Sequence, residues 1–175
     1  MQTQRALASP SLTPSADGRP DRLTYQWEPF SAVVQEVLPL LREHWHEIGL
    51  DHDKCPLDPN WQACMAYEQS GQLHVFTARS EGALVGYNAF IVHGRLHYQS
   101  TKFALNDVIW LHPLHREGFA GVRLIKGAEP HLRSLGAKFI EYGPKLHFRD
   151  GHFQKLLTRL GYGAFETRHR KYIGE

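Results

Sequence analysis

The chain has 175 residues, of which 42% are hydrophobic and 22% are charged, with a formal net charge of +2. This composition is typical of one globular domain with its own core, and the near-neutral charge argues against nucleic acid or an anionic membrane as partner. No stretch is apolar enough to span a bilayer, and two cysteines are too few for a disulfide scaffold, which favours a reducing, cytoplasmic setting.

The predicted elements alternate between strands and helices. Residues 1–22 are rich in Ser, Pro and Gly and predict a disordered leader, so the folded domain is expected over residues 23–175. Pro39 is expected to kink or restart the first helix, and Pro130 to bend a later one. Periodicity and turn residues predict, in chain order, a strand at 23–27, helices at 31–48 and 60–69, strands at 73–79, 83–92, 96–100 and 104–111, a helix ending near 135, a strand at 138–143, a helix at 153–160 and closing strands at 162–173.

The most informative stretch follows the apolar strand that ends at residue 111. The strand stops before Pro113, and a short basic loop with glycines then opens an apolar-periodic helix. The first N–H groups of a helix lack partners within it, and the helix dipole favours an anion there. We therefore predict that this loop binds a pyrophosphate. The predicted cofactor-binding residues are Leu111, His112, His115, Arg116, Glu117, Gly118, Phe119, Ala120, Gly121 and Val122.

The element order, together with Pro113-x-x-Arg116-x-x-x-x-Gly121 and the later Leu160-Gly161-Tyr162, resembles the GNAT superfamily of acyl-CoA-dependent N-acyltransferases. The resemblance covers roughly residues 23–173. It implies an α/β fold with a mixed, mostly antiparallel sheet of six to seven strands and about four helices. It also implies that the fourth strand splays from the fifth and that acyl-CoA enters the gap.

In that family the pyrophosphate lies on an Arg/Gln-x-x-Gly-x-Gly/Ala loop. Aligned without gaps, Arg116 and Gly121 occupy its outer positions, and Phe119 replaces the middle glycine. A shift by one residue, to His115-x-x-Gly118-x-Ala120, restores the glycine and loses the arginine. We prefer the ungapped alignment because it keeps the following helix in phase.

Shorter motifs resemble a group of short, phage-borne GNAT proteins, which implies the host cytoplasm as the location and leaves the acceptor open. These motifs are His46-Glu47-Ile48-Gly49-Leu50-Asp51, Pro56-Leu57-Asp58-Pro59, Leu84-Val85-Gly86-Tyr87, Leu96-His97-Tyr98-Gln99-Ser100-Thr101 and Asp107.

The resemblance implies transfer of an acetyl group from acetyl-CoA to a primary amine of a small molecule or a protein. A backbone N–H of the fourth strand, at Leu111 or His112, is expected to bind the thioester carbonyl. The family's frequent tyrosine acid is replaced here by Leu157. We expect Tyr142 to substitute for it, or the thiolate to leave unaided; the alternative for Tyr142 is an ordinary packed aromatic.

Two carboxylates are candidates for the general base. Asp107 interrupts an apolar strand, where a carboxylate is costly unless it is paired or faces a cleft. Glu141 and His112 lie on neighbouring elements of the same cleft in the family fold. We expect Asp107 or Glu141 to act directly or through a water, with a pKa raised by desolvation. Both are structural hydrogen-bonding groups in the alternative interpretation.

Histidines concentrate near the end of the first predicted helix, but the sequence predicts no metal site. His44 and His46 are two residues apart and point in different directions on a helix, and His52 and Cys55 lack a second matched pair. We expect this region to line the acceptor pocket. The predicted substrate-binding residues are His46, His97 and Tyr98.

Two other functions stay open from the sequence. The first is a catalytically weak or inactive GNAT-fold protein that binds and modulates a host protein, which Phe119 and Leu157 favour. The second is an enzyme that uses another acyl carrier or acts on a nucleic-acid base, against which the near-neutral charge argues. A homodimer is compatible with the sequence.

Overall fold

The computed structural model describes residues 23–147 and 151–174, so the expected leader at residues 1–22 lies outside the described residues. The chain divides into two compact units after Tyr142, and the single domain expected over residues 23–175 stays a prediction. Within the described ranges no helix has the length and apolar character needed to cross a membrane. The elements are β1 (Thr24–Glu28), α1 (Phe30–Ile48), α2 (Trp61–Gln69), β2 (Leu73–Ser80), β3 (Ala83–Arg95), β4 (Tyr98–Leu111), a 3-10 turn (Pro113–His115), α3 (Ala120–Lys126), α4 (Glu129–Ser134), β5 (Ala137–Glu141) and, in the second unit, α5 (His152–Arg159).

The first unit is built on one five-stranded mixed sheet in the order β1-β2-β3-β4-β5. All neighbours are antiparallel except β4 and β5, which are parallel. Side chains alternate along β3, so Tyr87 packs on one face and Phe90 on the other. Helices α1 and α2 cover the Tyr87 face, and α3 and α4 cover the Phe90 face. Each face therefore has its own apolar layer.

The expected count of six to seven strands is wrong for the described residues, which form five. The separate strands expected at 96–100 and 104–111 are one strand, because Lys102 and Phe103 pair with Gly94 and His93 and leave no break. Residues 162–174 form no strand. Almost all of them are exposed, and the run from Arg168 to Lys171 offers no apolar face for a sheet to bury.

The helices follow the expected segments with two differences. Helix α1 continues through Pro39 rather than restarting there. The helix expected to end near residue 135 is divided into α3 and α4 at Gly127, where a Cβ would lie 2.9 Å from the ring of Phe76. Pro130 lies in the first turn of α4, where its missing N–H removes no helical hydrogen bond. The break thus avoids the cost of an interior proline.

The pairing of β4 with β5 ends early and leaves a fork. The last pair is Leu105 with Glu141, and Asn106–Leu111 pair with β3 alone. Just past the last pair, Asp107 is the extra residue of a β-bulge, since Asn106 pairs with Phe90 and Val108 with Ala89. The second half of β4 therefore has one edge that no strand in the described ranges covers, as the family resemblance implied.

Candidate active site

The open edge of β4 presents a backbone amide at Leu111. The N–H of His112 donates to the carbonyl of Val85 on β3 at 2.8 Å. Because successive residues of a strand point their amides to opposite sides, the N–H of Leu111 points away from β3, into the fork. Of the two amides expected to bind a thioester carbonyl, His112 is thus used within the sheet and Leu111 faces the opening.

The loop between β4 and α3 carries further unpaired amides. The N–H groups of Gly118, Phe119, Gly121 and Val122 have no acceptor in the parts of the chain that the structure describes. Gly118 has φ +59°, which favours glycine, and a Cβ at Gly118 or Gly121 would meet open space. Phe119, at the position of the family's middle glycine, is 71% exposed and leaves this space open. The loop therefore fits an anion such as a diphosphate.

The side chain of Arg116 does not extend into that space but joins the loop to α1. Its guanidinium forms a bidentate ion pair with Glu47, with N–O distances of 2.5 and 2.6 Å. The indole of Trp110 donates to the same carboxylate at 2.7 Å, and Arg116 Nε donates to the carbonyl of Leu111 at 2.6 Å. Arg116 thus fixes the Leu111 carbonyl, which is on the same residue as the N–H that faces the fork. A direct contact of Arg116 with the diphosphate stays a prediction.

Two asparagines, one buried and one partly buried, hold the fork from the α3 side. Asn88 is completely buried and donates from Nδ2 to the carbonyl of Leu124 and to the hydroxyl of Tyr142, both at 3.0 Å. Asn106 donates to Oδ1 of Asn88 at 2.9 Å and to two backbone carbonyls. Burial raises the pKa of Tyr142. Its hydroxyl therefore stays protonated at neutral pH and lies where β4 and β5 separate.

Asp107 lies on the opposite face of the sheet, toward α2. Burial, followed by the charge of Asp107, raises the pKa of the Cys64 thiol, which places the carboxylate near that helix. The side chain of Asp107 is open to solvent at the surface, but the protein around it removes part of its hydration and raises its pKa. It has no ion-pair partner among residues 23–147 and 151–174. These are the properties of a carboxylate that takes up a proton more readily than an ordinary aspartate does.

Glu141, the other candidate base, is held in an ion pair. Arg95 donates to its carboxylate, and the same guanidinium lies over the ring of Phe103 at 4.4 Å. Phe139 stacks on Phe103 with centroids 5.3 Å apart. Arg95 thus occupies this carboxylate, whereas Asp107 has no ion-pair partner among the described residues. The arrangement therefore favours Asp107 over Glu141.

The structure does not bring the three expected acceptor-binding residues together. His46 lies at the end of α1, next to Glu47, which contacts Trp110 near the C-terminal end of β4. His97 is in the turn between β3 and β4, and Tyr98 is the first residue of β4. The two groups thus lie at opposite ends of the longest strand, and only His46 lies near the fork. Sequence proximity to the family motifs could not reveal this separation.

Four further residues shape this site, and they were not among the candidate site residues predicted from the sequence. A carboxylate and an indole hold Arg116 in place, and two side-chain amides hold the fork. One signal was present, because a polar residue inside an apolar strand suggests a buried hydrogen bond, and that applies to both asparagines. The residues are Glu47, Trp110, Asn88 and Asn106.

No protein-family model matches the chain, and a search of curated proteins finds no relative. Solved structures do resemble it. A ribosomal-protein-alanine N-acetyltransferase from Brucella melitensis biovar Abortus 2308 has a TM-score of 0.64 at 18% identity, covering 87% of this chain and 100% of that one. An aminoglycoside acetyltransferase from an uncultured soil metagenomic sample has a TM-score of 0.68 at 15% identity, covering 87% and 99%.

A predicted acetyltransferase from Clostridium acetobutylicum, solved with acetyl-CoA, has a TM-score of 0.63 at 9% identity and covers 86% of this chain and 96% of that one. At these identities the likeness concerns the fold. The chain has the GNAT fold of N-acetyltransferases, with its mixed sheet forked between β4 and β5.

Proposed function

We propose that this protein is an N-acetyltransferase that transfers an acetyl group from acetyl-CoA to a primary amine of a small molecule or a protein. The observation that carries the proposal is the fork beside β4. The unpaired Leu111 amide faces it, and the unpaired amides of Gly118, Phe119, Gly121 and Val122 follow in the next loop. Structurally similar proteins solved with CoA or acetyl-CoA support the same ligand.

In this proposal the loop amides bind the diphosphate and the Leu111 amide binds the thioester carbonyl. Negative charge grows on that carbonyl oxygen as the amine attacks, so a fixed N–H stabilises the transition state more than the ground state. Arg116 and Glu47 contribute by holding the Leu111 carbonyl, and with it the backbone of that residue, in place. They act as positioning residues rather than as catalytic ones.

Asp107 and Tyr142 lie on opposite faces of the sheet at the fork, which suits a direct transfer. Asp107 takes a proton from the amine as its nitrogen bonds to the carbonyl carbon. The carbon–sulfur bond then breaks, and the Tyr142 hydroxyl donates a proton to the leaving thiolate. The amine would approach from the α2 side, where Asp107 is, and the thiol would leave on the α3 side.

The first experiment measures acetyl-CoA binding by calorimetry and thermal melting. The matched variants are Gly121→Glu and Gly121→Gln, which fit the open space at Gly121. A carboxylate in the first turn of α3 interacts favourably with the helix dipole, so Gly121→Glu should be at least as stable as the parent. It should nevertheless weaken acetyl-CoA binding about 10- to 100-fold relative to Gly121→Gln, because it repels the diphosphate. Equal affinities of the two variants would contradict the loop assignment.

A second candidate function is a binding protein that keeps the fold without turnover. It is favoured by Leu157 at the position of the family's tyrosine acid and by the engagement of Arg116 with Glu47. Thiol release from acetyl-CoA across a panel of amines separates the two. Binding of acetyl-CoA with no amine-dependent thiol release would support the binding protein, whereas release with any amine supports the enzyme.

A further inference from the structure

Two histidines from distant parts of the chain meet at the β1 side of the first unit, away from the fork. His74 is on β2 and His131 on α4, and both are partly buried. Their facing nitrogens, Nδ1 of His74 and Nε2 of His131, are 3.5 Å apart. The ring of Trp27 packs on His131 with centroids 4.3 Å apart. The three rings line an open groove.

The hydrogen bond of His74 fixes which of its nitrogens can act as a ligand. Nε2 lies 3.1 Å from the carbonyl of Gly71, and a carbonyl can only accept, so Nε2 carries the hydrogen. Nδ1 then has a free lone pair directed toward His131. Histidines that ligate metals commonly donate their other N–H to a backbone carbonyl in this way.

The distance between the two nitrogens suits a metal ion better than a direct hydrogen bond. An N–H···N bond is normally about 3 Å long, so 3.5 Å is too long for a good one. Two nitrogens bound to one tetrahedral zinc at 2.0–2.1 Å are about 3.4 Å apart. The ring planes of His74 and His131 are inclined at 65°, with centroids 5.4 Å apart, which leaves room for both lone pairs to meet at one point.

Within the described residues, the groove around the two rings supplies no third metal ligand. The carboxylates of Glu28 and Glu68, which line the groove, are hydrogen-bonded to Arg79 and to the Ser31 amide. No group of three or more metal-ligating side chains occurs in the described part of the chain, so water must complete the coordination.

We propose that His74 and His131 form a two-histidine site for a borderline divalent cation such as Zn²⁺, Cu²⁺ or Ni²⁺. Imidazole nitrogen suits these ions, whereas Mg²⁺ and Ca²⁺ prefer oxygen. With two protein ligands, the ion exchanges with the solution and is not a permanent part of the fold. The site lies at the opposite edge of the sheet from the fork and does not depend on the acetyltransferase proposal.

The test titrates the chelator-treated full chain with Zn²⁺ by calorimetry at pH 7.5 and with Cu²⁺ by tryptophan fluorescence. We expect one equivalent of Zn²⁺ with a Kd below about 100 µM. His74→Gln and His131→Gln should each weaken binding at least about tenfold, because each removes one of two ligands. His52→Gln, beside His46 on α1, is the matched control and should leave the affinity unchanged. Trp27→Phe should remove most of the Cu²⁺ quenching while leaving the Zn²⁺ affinity unchanged.

A line-width measurement on the unmodified chain covers the case in which a variant fails to fold. Substoichiometric Ni²⁺ should broaden the imidazole NMR signals of His74 and His131 before those of His46 and His52. Zn²⁺ binding that survives the double substitution of His74 and His131 would overturn the proposal. Earlier broadening at His46 and His52, or a Kd above about 1 mM, would also overturn it.

Discussion

The two halves of β4 belong to one continuous strand but have different neighbours. From Lys102 to Leu105 the strand lies between β3 and β5, and its backbone groups are used on both sides. From Asn106 to Leu111 it pairs with β3 alone. The backbone of the second half therefore keeps amides for a ligand, and the polar residues Asn106 and Asp107 lie at the transition. What distinguishes the halves is the direction that β5 takes, together with the side chains that hold it there.

The largest effect should come from removing the amide that spans the fork. Asn88→Ala removes the hydrogen bonds that Asn88 Nδ2 donates to the Leu124 carbonyl and the Tyr142 hydroxyl. It should lower the free energy of unfolding by about 3 kcal/mol. Urea denaturation measures it. The control Gln99→Ala removes an exposed amide near the start of β4 and should change stability by less than about 0.5 kcal/mol. Equal effects would mean that the fork needs no polar support.

The carboxylate at the bulge should matter for rate rather than for binding. Asp107→Asn should lower turnover at saturating acetyl-CoA about 100-fold, while the Kd for acetyl-CoA stays the same. In the parent the rate should rise with pH as Asp107 loses its proton, at a pKa above its ordinary value, since desolvation raises it. This rise of the rate with pH should be absent in Asp107→Asn. Unchanged turnover in Asp107→Asn would rule out this base.

The ion pair between Arg116 and Glu47 should affect both the stability of the protein and the position of the Leu111 backbone. Arg116→Lys keeps the charge but loses the bidentate contact with Glu47 and the bond to the Leu111 carbonyl. We expect a loss of about 1–2 kcal/mol in the free energy of unfolding. Turnover should fall while the affinity for CoA, which lacks the carbonyl, stays unchanged. Arg168→Lys, in the exposed pair with Glu166, is the control and should be neutral.

The smallest effect is expected at Glu141, on the part of β5 that still pairs with β4. Glu141→Gln weakens the ion pair with Arg95 and should cost less than about 1 kcal/mol, since Arg95 is partly exposed. Because we assign the base to Asp107, turnover should change by less than about threefold. A rate loss in Glu141→Gln equal to that in Asp107→Asn would restore Glu141 as a candidate base.

Local patterns in the sequence were enough to predict most of the elements. Strand alternation, helix periodicity and the Pro113-to-Gly121 loop predicted the four helical segments, the strands up to β5 and the loop at the candidate site, because these depend on residues close together in the chain. The glycine at residue 127 has a reason that is not local, since a Cβ there would contact the ring of Phe76. The strand count failed at residues 162–174, where a strand needs a partner that no local pattern specifies.

Tertiary structure decided which side chains meet. The sequence showed that Arg116, Glu141, His74 and His131 exist, but their partners lie 69, 46 and 57 residues away along the chain. Hydrogen bonds, ion pairs and metal sites need particular atoms within about 3 to 4 Å, and only the packing of sheet and helices brings distant residues that close. For this reason local sequence patterns were sufficient for most of the elements and for the kind of chemistry available. The fold determined that Arg116 holds the Leu111 carbonyl and that two histidines face each other across β2 and α4. It also determined that, of the two candidate bases, Asp107 is the one without an ion-pair partner in the described ranges.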